Sequence, residues 1–159
     1  MTTPAGGVVA PCRRDIVNDS MDLMTCPHGV LVVDDQAPFR AAVKAVLRRL
    51  KEFELVGEAS SGLEAVAMAE TLGPALVLMD INMVHMNGIE ATRRIVAARP
   101  EVVVILFSTY DFDDLPDEAA TSGARAYIHK ERIGAETLRR LWRDRDSNTS
   151  FPGHPGSSD

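Results

Sequence analysis

Three carboxylates in this chain stand where apolar runs stop. Ala75-Leu76-Val77-Leu78-Met79 leads straight into Asp80, and Val30-Leu31-Val32-Val33 leads into Asp34-Asp35. An unbroken Leu/Val/Met run of strand length reads as a strand covered on both faces, the pattern of a parallel sheet between helix layers. Open α/β sheets place their ligands at the carboxyl ends of such strands. Acids crowded at one rim are costly unless a cation pairs them. Asp35 and Asp80 offer hard oxygen ligands suited to Mg²⁺, and the main-chain carbonyl of Asn82 is placed to add another. Two further apolar runs end in polar groups: Val102 to Phe107 in Ser108-Thr109, and Ala126 to His129 in Lys130. Lys130 would offset the acids and hold an anion as a point charge. The Ser108 hydroxyl can donate to an oxygen that arrives on Asp80. These parts describe an aspartate nucleophile for phosphoryl transfer, with Mg²⁺ and Lys130 neutralising the transferred oxygens.

Positioning those groups requires strands and helices in alternation. Strands are expected at about 29–33, 54–59, 75–79, 102–107 and 126–129. Phe39, Ala42, Val43, Val46, Leu47 and Leu50 recur at helical spacing, with Arg40, Lys44, Arg48 and Arg49 turned outward. A second helix covers about Gly62 to Leu72 and stops at Gly73-Pro74. Ile89, Thr92, Ile95 and Val96 mark a third, ending before Pro100. Asp113 and Asp114 cap a short fourth, with Pro116 near its first turn and Gly123 beyond its end. The last runs from about Gly134 to Arg145 and carries Leu138, Leu141 and Trp142. Five β–α units in order imply an α/β doubly wound five-stranded parallel sheet with right-handed crossovers.

Length and composition set the outer bounds. The 159 residues suffice for one domain with a real core, and 45% hydrophobic with 25% charged residues is a globular composition. A net charge of −6 argues against non-specific nucleic-acid binding. No apolar run approaches the roughly 18 residues of a membrane span. Residues 1–28 hold Pro4, Gly6, Gly7, Pro11 and Pro27, show no sustained period and read as a flexible leader. The order of charge and apolarity there is wrong for a secretory signal, and Cys12 and Cys26 read as free thiols in a reducing cytosol. Residues 146–159, rich in Ser, Gly and Pro, read as a disordered tail, and no second, DNA-binding domain fits the remaining length.

Each feature alone has a plainer explanation. Asp34 or Asp35 could cap the helix at Pro38, Ser108-Thr109 could be turn residues, and a Lys after a strand is usually a solvated charge. His85 and His129 lack the spacing of a transition-metal cluster, and Met79, Met83 and Met86 fit packing better than a cofactor box. All four polar groups at successive strand ends is much harder to explain in that way.

At those residues the sequence resembles bacterial response-regulator receiver domains, over about residues 29–145. The resemblance rests on Val30-Leu31-Val32-Val33-Asp34-Asp35, Val77-Leu78-Met79-Asp80-Ile81-Asn82-Met83, Gly88-Ile89-Glu90-Ala91, Ser108-Thr109 and Gly123 to Lys130. It implies a (βα)5 flavodoxin-like receiver fold and a cytoplasmic switch in a two-component phosphorelay. Asp80 would accept a phosphoryl group from a sensor histidine kinase, with Mg²⁺ held by Asp34, Asp35, Asp80 and Asn82. Ser108 and Lys130 would contact the phosphoryl group, and Ser108, Thr109 and Tyr127 would form the switch. Such a protein catalyses only its own phosphotransfer and slow autodephosphorylation. Lacking an output domain, it would act through a separate downstream protein or a second copy of itself, with no direct contact to nucleic acid or membrane.

The chain departs from the family pattern at Val84, where proline is usual after Asn-Met, at Glu131 after the lysine, and at Pro116, expected to delay or shorten the fourth helix. Two other functions compete. An aspartate-nucleophile phosphatase would need a second acid where Asn82 stands, and Asn cannot transfer a proton in that way. A phosphorylation-independent interaction module is the other, set against the intact acids and Lys130.

Overall fold

The structure is a computed structural model that describes residues 27–83, 86–109 and 117–144. Its sheet has five parallel strands in the order β2-β1-β3-β4-β5, formed by β1 (His28–Val33), β2 (Phe53–Ala59), β3 (Leu76–Asp80), β4 (Val103–Ser108) and β5 (Ala126–His129). Between and after them lie α1 (Ala37–Arg48), α2 (Gly62–Leu72), α3 (Gly88–Ala98), α4 (Asp117–Ala120) and α5 (Ala135–Arg143). This is the doubly wound α/β arrangement expected from the alternation. The chain order reverses between β1 and β3, which makes their carboxyl ends the switch point where such sheets bind ligands.

Boundaries differ from expectation by a residue or two. β1 begins at His28, α1 stops at Arg48 rather than Leu50, and α5 stops at Arg143. β3 includes Asp80 itself, because Asp80 pairs in register with Phe107. The reading of Asp34 or Asp35 as a helix cap does not hold: Gln36 is the N-cap of α1, with no side-chain cap bond. Asp34 Oδ1 instead accepts the Gln36 N–H at 2.8 Å, closing a turn ahead of the helix. Pro38 sits in the first turn of α1, where its missing N–H costs nothing. The other helix starts follow side-chain chemistry. Ser61 caps α2 by accepting the Glu64 N–H, while Glu64 reaches back to the Ser60 N–H at 2.7 Å. Asn87 caps α3 through the Glu90 N–H at 2.9 Å. Gly73, at φ 58°, ends α2 in the left-handed conformation that favours glycine. Among the described residues α4 amounts to one turn, and Asp113, Asp114 and Pro116 lie outside them, as do Val84, His85, residues 1–26 and the expected tail.

Two apolar layers cover the sheet, and the strand period of two assigns residues to each. Leu31, Val33, Val77, Met79, Val104, Leu106 and Tyr127 pack in the layer with α2 and α3. Val30, Val32, Leu76, Leu78, Ile105, Phe107 and Ile128 pack in the layer with α1 and α5. Met79 and Met83 are core side chains, as their surroundings in the sequence suggested. Leu138 is fully buried, while Trp142 packs against His28 and Phe53 at the start of β1 and β2.

Candidate functional site

The alternation along the strands continues into the rim. Counting in twos from Val30, Leu76 and Ala126, residues 34, 80 and 130 fall on the α1/α5 side of the sheet. Asp34 and Asp80 are buried, Asp35 is exposed, and one carboxylate oxygen from each of the three lies within 4.8 Å of the others. Lys130 reaches into this group, with Nζ 2.8 Å from Asp34 Oδ2 and 3.7 Å from Asp80 Oδ2. Its ammonium also lies 4.5 Å from the centre of the Phe39 ring and 5.8 Å from that of Phe107. Those two rings, from α1 and β4, pack 5.0 Å apart and wall the lysine on its apolar side. A single turn of 3-10 helix over Lys130–Arg132 sets the start of that lysine. It is capped by His129, whose Nδ1 accepts the Glu131 N–H at 3.1 Å.

Asp34 is the most constrained of the acids. Its N–H donates to the Ala59 carbonyl at 3.0 Å, and its own carbonyl accepts from Arg40 Nη1 at 2.6 Å. Its Oδ2, though 2.8 Å from Lys130 Nζ, accepts no properly directed hydrogen bond among the described residues and is sealed from solvent. Asp80 Oδ1 accepts the Asn82 N–H at 3.2 Å. Burial pushes the Asp80 carboxyl up to about 7. The Asp34 carboxylate adds to the rise, Lys130 and the Asn82 N–H oppose it, and Asp35 adds a little more. The loop after Asp80 is held close. Gly88 donates its N–H to the Ile81 carbonyl at 3.0 Å, and a Cβ added at Gly88 would run into the Asp80 carbonyl oxygen. Only glycine lets α3 start there.

The hydroxyl groups lie on the other side of the sheet. Ser108 continues the β4 positions 104 and 106 toward the α2/α3 layer, where Tyr127 is also buried. The two hydroxyl oxygens are 3.0 Å apart, and the Tyr127 hydroxyl also donates to the Ser108 carbonyl at 3.3 Å. The Tyr127 ring lies inside the domain, with its hydroxyl held on Ser108. Thr109 is exposed at the edge of the described residues. Asn82 is exposed beside Asp80, with Ile81 tucked beneath.

The structure therefore gathers Asp34, Asp35, Asp80 and Lys130 at one rim and joins Ser108 to Tyr127. Sequence reasoning did not single out Phe39, Phe107 or Arg40 for the site. Arg40 was expected to face solvent, yet its guanidinium bridges the Asp34 carbonyl and Glu58 Oε1 (3.1 Å), with Lys44 holding the other Glu58 oxygen at 2.8 Å. The signal for it lay in the order Asp34-Asp35-Gln36-Ala37-Pro38-Phe39-Arg40. A helix beginning at Ala37 turns its first-turn residues back over the strand end.

An all-oxygen donor set with unfilled lone pairs on Asp34 fits a hard divalent cation, and the flanking lysine fits a bound anion. An aspartate held between such a set and a lysine, at the switch point of a parallel sheet, is an arrangement suited to phosphoryl transfer. The comparisons agree. Residues 30–143 match the sequence model of the response regulator receiver domain, and the chain belongs to that family. It is 37% identical over 109 residues to the response regulator UvrY of Escherichia coli (strain K12), covering 69% of this chain and 50% of that one. It is 37% identical over 102 residues to the transcriptional regulatory protein DegU of Brevibacillus brevis, covering 64% and 43%. The chain thus spans about half the length of these curated relatives. Among solved structures, a chain of the CheX–CheY–BeF3–Mg²⁺ complex of Borrelia burgdorferi superposes with a TM-score of 0.66 at 26% identity, covering 74% of this chain and 88% of that one. This is a two-component receiver domain with the flavodoxin-like fold, and no helix among the described residues is long and apolar enough to cross a membrane.

Proposed function

We propose that Asp80 accepts a phosphoryl group from a phosphohistidine on a sensor histidine kinase, and that the resulting acyl phosphate turns the domain on. The observation that carries this reading is the Asp34–Asp35–Asp80 cluster with Lys130 lodged against it. Asp34, Asp35 and Asp80 carboxylates and the Asn82 carbonyl would hold Mg²⁺, the ion named with the Borrelia complex. When bound, the ion neutralises negative charge on the transferring oxygens. The chain's own groups do the remainder. An Asp80 carboxylate oxygen forms a bond to phosphorus as the imidazole nitrogen–phosphorus bond breaks and the nitrogen keeps the pair. Lys130 then exchanges part of its hold on Asp34 for the new phosphoryl oxygens.

The Ser108 hydroxyl shifts from Tyr127 to the phosphoryl group, and Tyr127 and Thr109 resettle with it. One charge-assisted hydrogen bond supplies about 1.5–3 kcal/mol. Moving a two-state equilibrium from 1:99 to 99:1 takes roughly 5.5 kcal/mol. Ser108 is therefore not enough alone, and Lys130 contributes to the same transition. The phosphorylated domain works in the cytoplasm as a switch rather than a turnover enzyme and acts on a separate downstream protein. A transcription-linked output is the second reading, favoured by the description of the Brevibacillus relative.

The test is intact-mass spectrometry of the full chain with acetyl phosphate and MgCl2. The native chain should gain one acid-stable, base-labile phosphoryl group, and Asp80→Ala none. Equal labelling of both would refute the assignment. No labelling of either would leave a phosphorylation-independent interaction module. Pull-downs with and without beryllofluoride, scored for protein and for DNA, separate the two outputs.

A further inference from the structure

We infer that Arg40 is a positioning residue for the acid pocket: it clamps the peptide between Asp34 and Asp35 and so sets the affinity for the divalent cation. The inference rests on the metal-dependent reading above. Asp34 and Asp35 are consecutive, so the peptide between them fixes how far apart their carboxylates stand and where each points. The carbonyl of that peptide accepts from Arg40 Nη1 at 2.6 Å. The guanidinium is itself fixed from behind, because its Nε donates to Glu58 Oε1 at 3.1 Å, and Lys44 holds Glu58 Oε2 at 2.8 Å. Lys44 and Arg40 keep the Glu58 carboxyl below its usual range, so it stays an anion beside the guanidinium. Glu58 belongs to β2, in register with Val32 of β1, so the clamp ties edge strand, helix α1 and strand end into one unit.

Charge and geometry can be told apart here. Glu58 offsets one of the two positive charges that Arg40 and Lys44 bring, and the Arg40→Lys exchange holds that charge count fixed, so what it removes is the orientation of a rigid two-pronged donor. Lysine keeps the charge yet cannot bridge the Asp34 carbonyl and Glu58 with the same fork. Groups that orient metal ligands from outside the ligand set typically change affinity by about 10–100-fold.

The experiment titrates MgCl2 into the full chain and into Arg40→Ala and Arg40→Lys, following heat and the amide signal of Asn82, whose N–H lies on Asp80 Oδ1. Melting in EDTA is measured beside it. The expected result is Mg²⁺ binding weaker by about tenfold in Arg40→Ala and severalfold in Arg40→Lys. Labelling of Asp80 by acetyl phosphate should recover in both at saturating Mg²⁺, so that the Mg²⁺ midpoint shifts while the plateau does not. Arg40→Lys binding as tightly as the native chain, or Arg40→Ala binding more tightly, would overturn the clamp while leaving the acid pocket intact. A native chain that binds no Mg²⁺ would instead overturn the metal-dependent reading, and the clamp with it. Should Arg40→Ala fail to fold in EDTA, Arg40→Lys decides alone.

Discussion

Replacing Asp80 with Asn should make the metal-free protein more stable, and more so as pH rises. Asp80 is sealed inside the rim, with burial and Asp34 pushing its carboxyl up from 3.8 to about 7. A group whose folded pKa lies above its unfolded value favours folding only as the acid. Its ionisation therefore removes stability as pH rises from about 4 to about 7, and the full penalty stands above that. At about 1.36 kcal/mol per pH unit, the interval corresponds to an upper bound of about 4 kcal/mol. Water entering around the carboxylate lowers this, and a gain of about 2 kcal/mol at pH 8 is the expected value for Asp80→Asn. The asparagine keeps an oxygen for the Asn82 N–H, and the Lys130–Asp34 pair is untouched. Urea unfolding in EDTA at pH 4 and pH 8 measures it, with a gain at pH 4 less than half that at pH 8. Millimolar Mg²⁺ should shrink the difference, because it stabilises the native chain by linkage and loses a ligand in the variant. A variant no more stable than the native chain at pH 8, or a gain independent of pH, would refute the reasoning.

Lys130→Ala should retain measurable Asp80 labelling while costing about 3 kcal/mol in EDTA. It strands a buried Asp34 carboxylate, and Mg²⁺ should return part of the loss in the same unfolding assay. Gly88→Ala should destabilise by about 3 kcal/mol in thermal unfolding, since its Cβ meets the Asp80 carbonyl and forces α3 off the strand end. Thr92→Val should raise stability by about 1 kcal/mol, because the buried Thr92 hydroxyl on α3 has no hydrogen-bond partner among the described residues and valine fills the same shape.

Much of this molecule is legible in its sequence because buried parallel strands leave a strong signal. The runs ending at Asp34, Asp80, Ser108 and Lys130 needed only their apolar length to be placed, and Gly62 to Leu72 and Ala126 to His129 match their elements residue for residue. What stayed hidden depends on side-chain direction across elements. Arg40 and Arg48 share a helix, and Arg40's place in its first turn is the one local difference; that it folds back on Asp34 and meets Glu58 of another strand is set by packing. The contact between Ser108 and Tyr127 joins neighbouring strands, so it follows from register, and register is set by the packed sheet. The Phe39–Phe107 wall behind Lys130 likewise brings together residues far apart in the chain.

The pleat at the end of β4 divides the domain into two rooms. Phe107 looks into the one that holds the lysine and the acids, and Ser108 looks into the one that holds the tyrosine. A single peptide bond is the doorway between them. Because the two side chains share that link, a tilt of it would move a ring on one side and a hydroxyl on the other together.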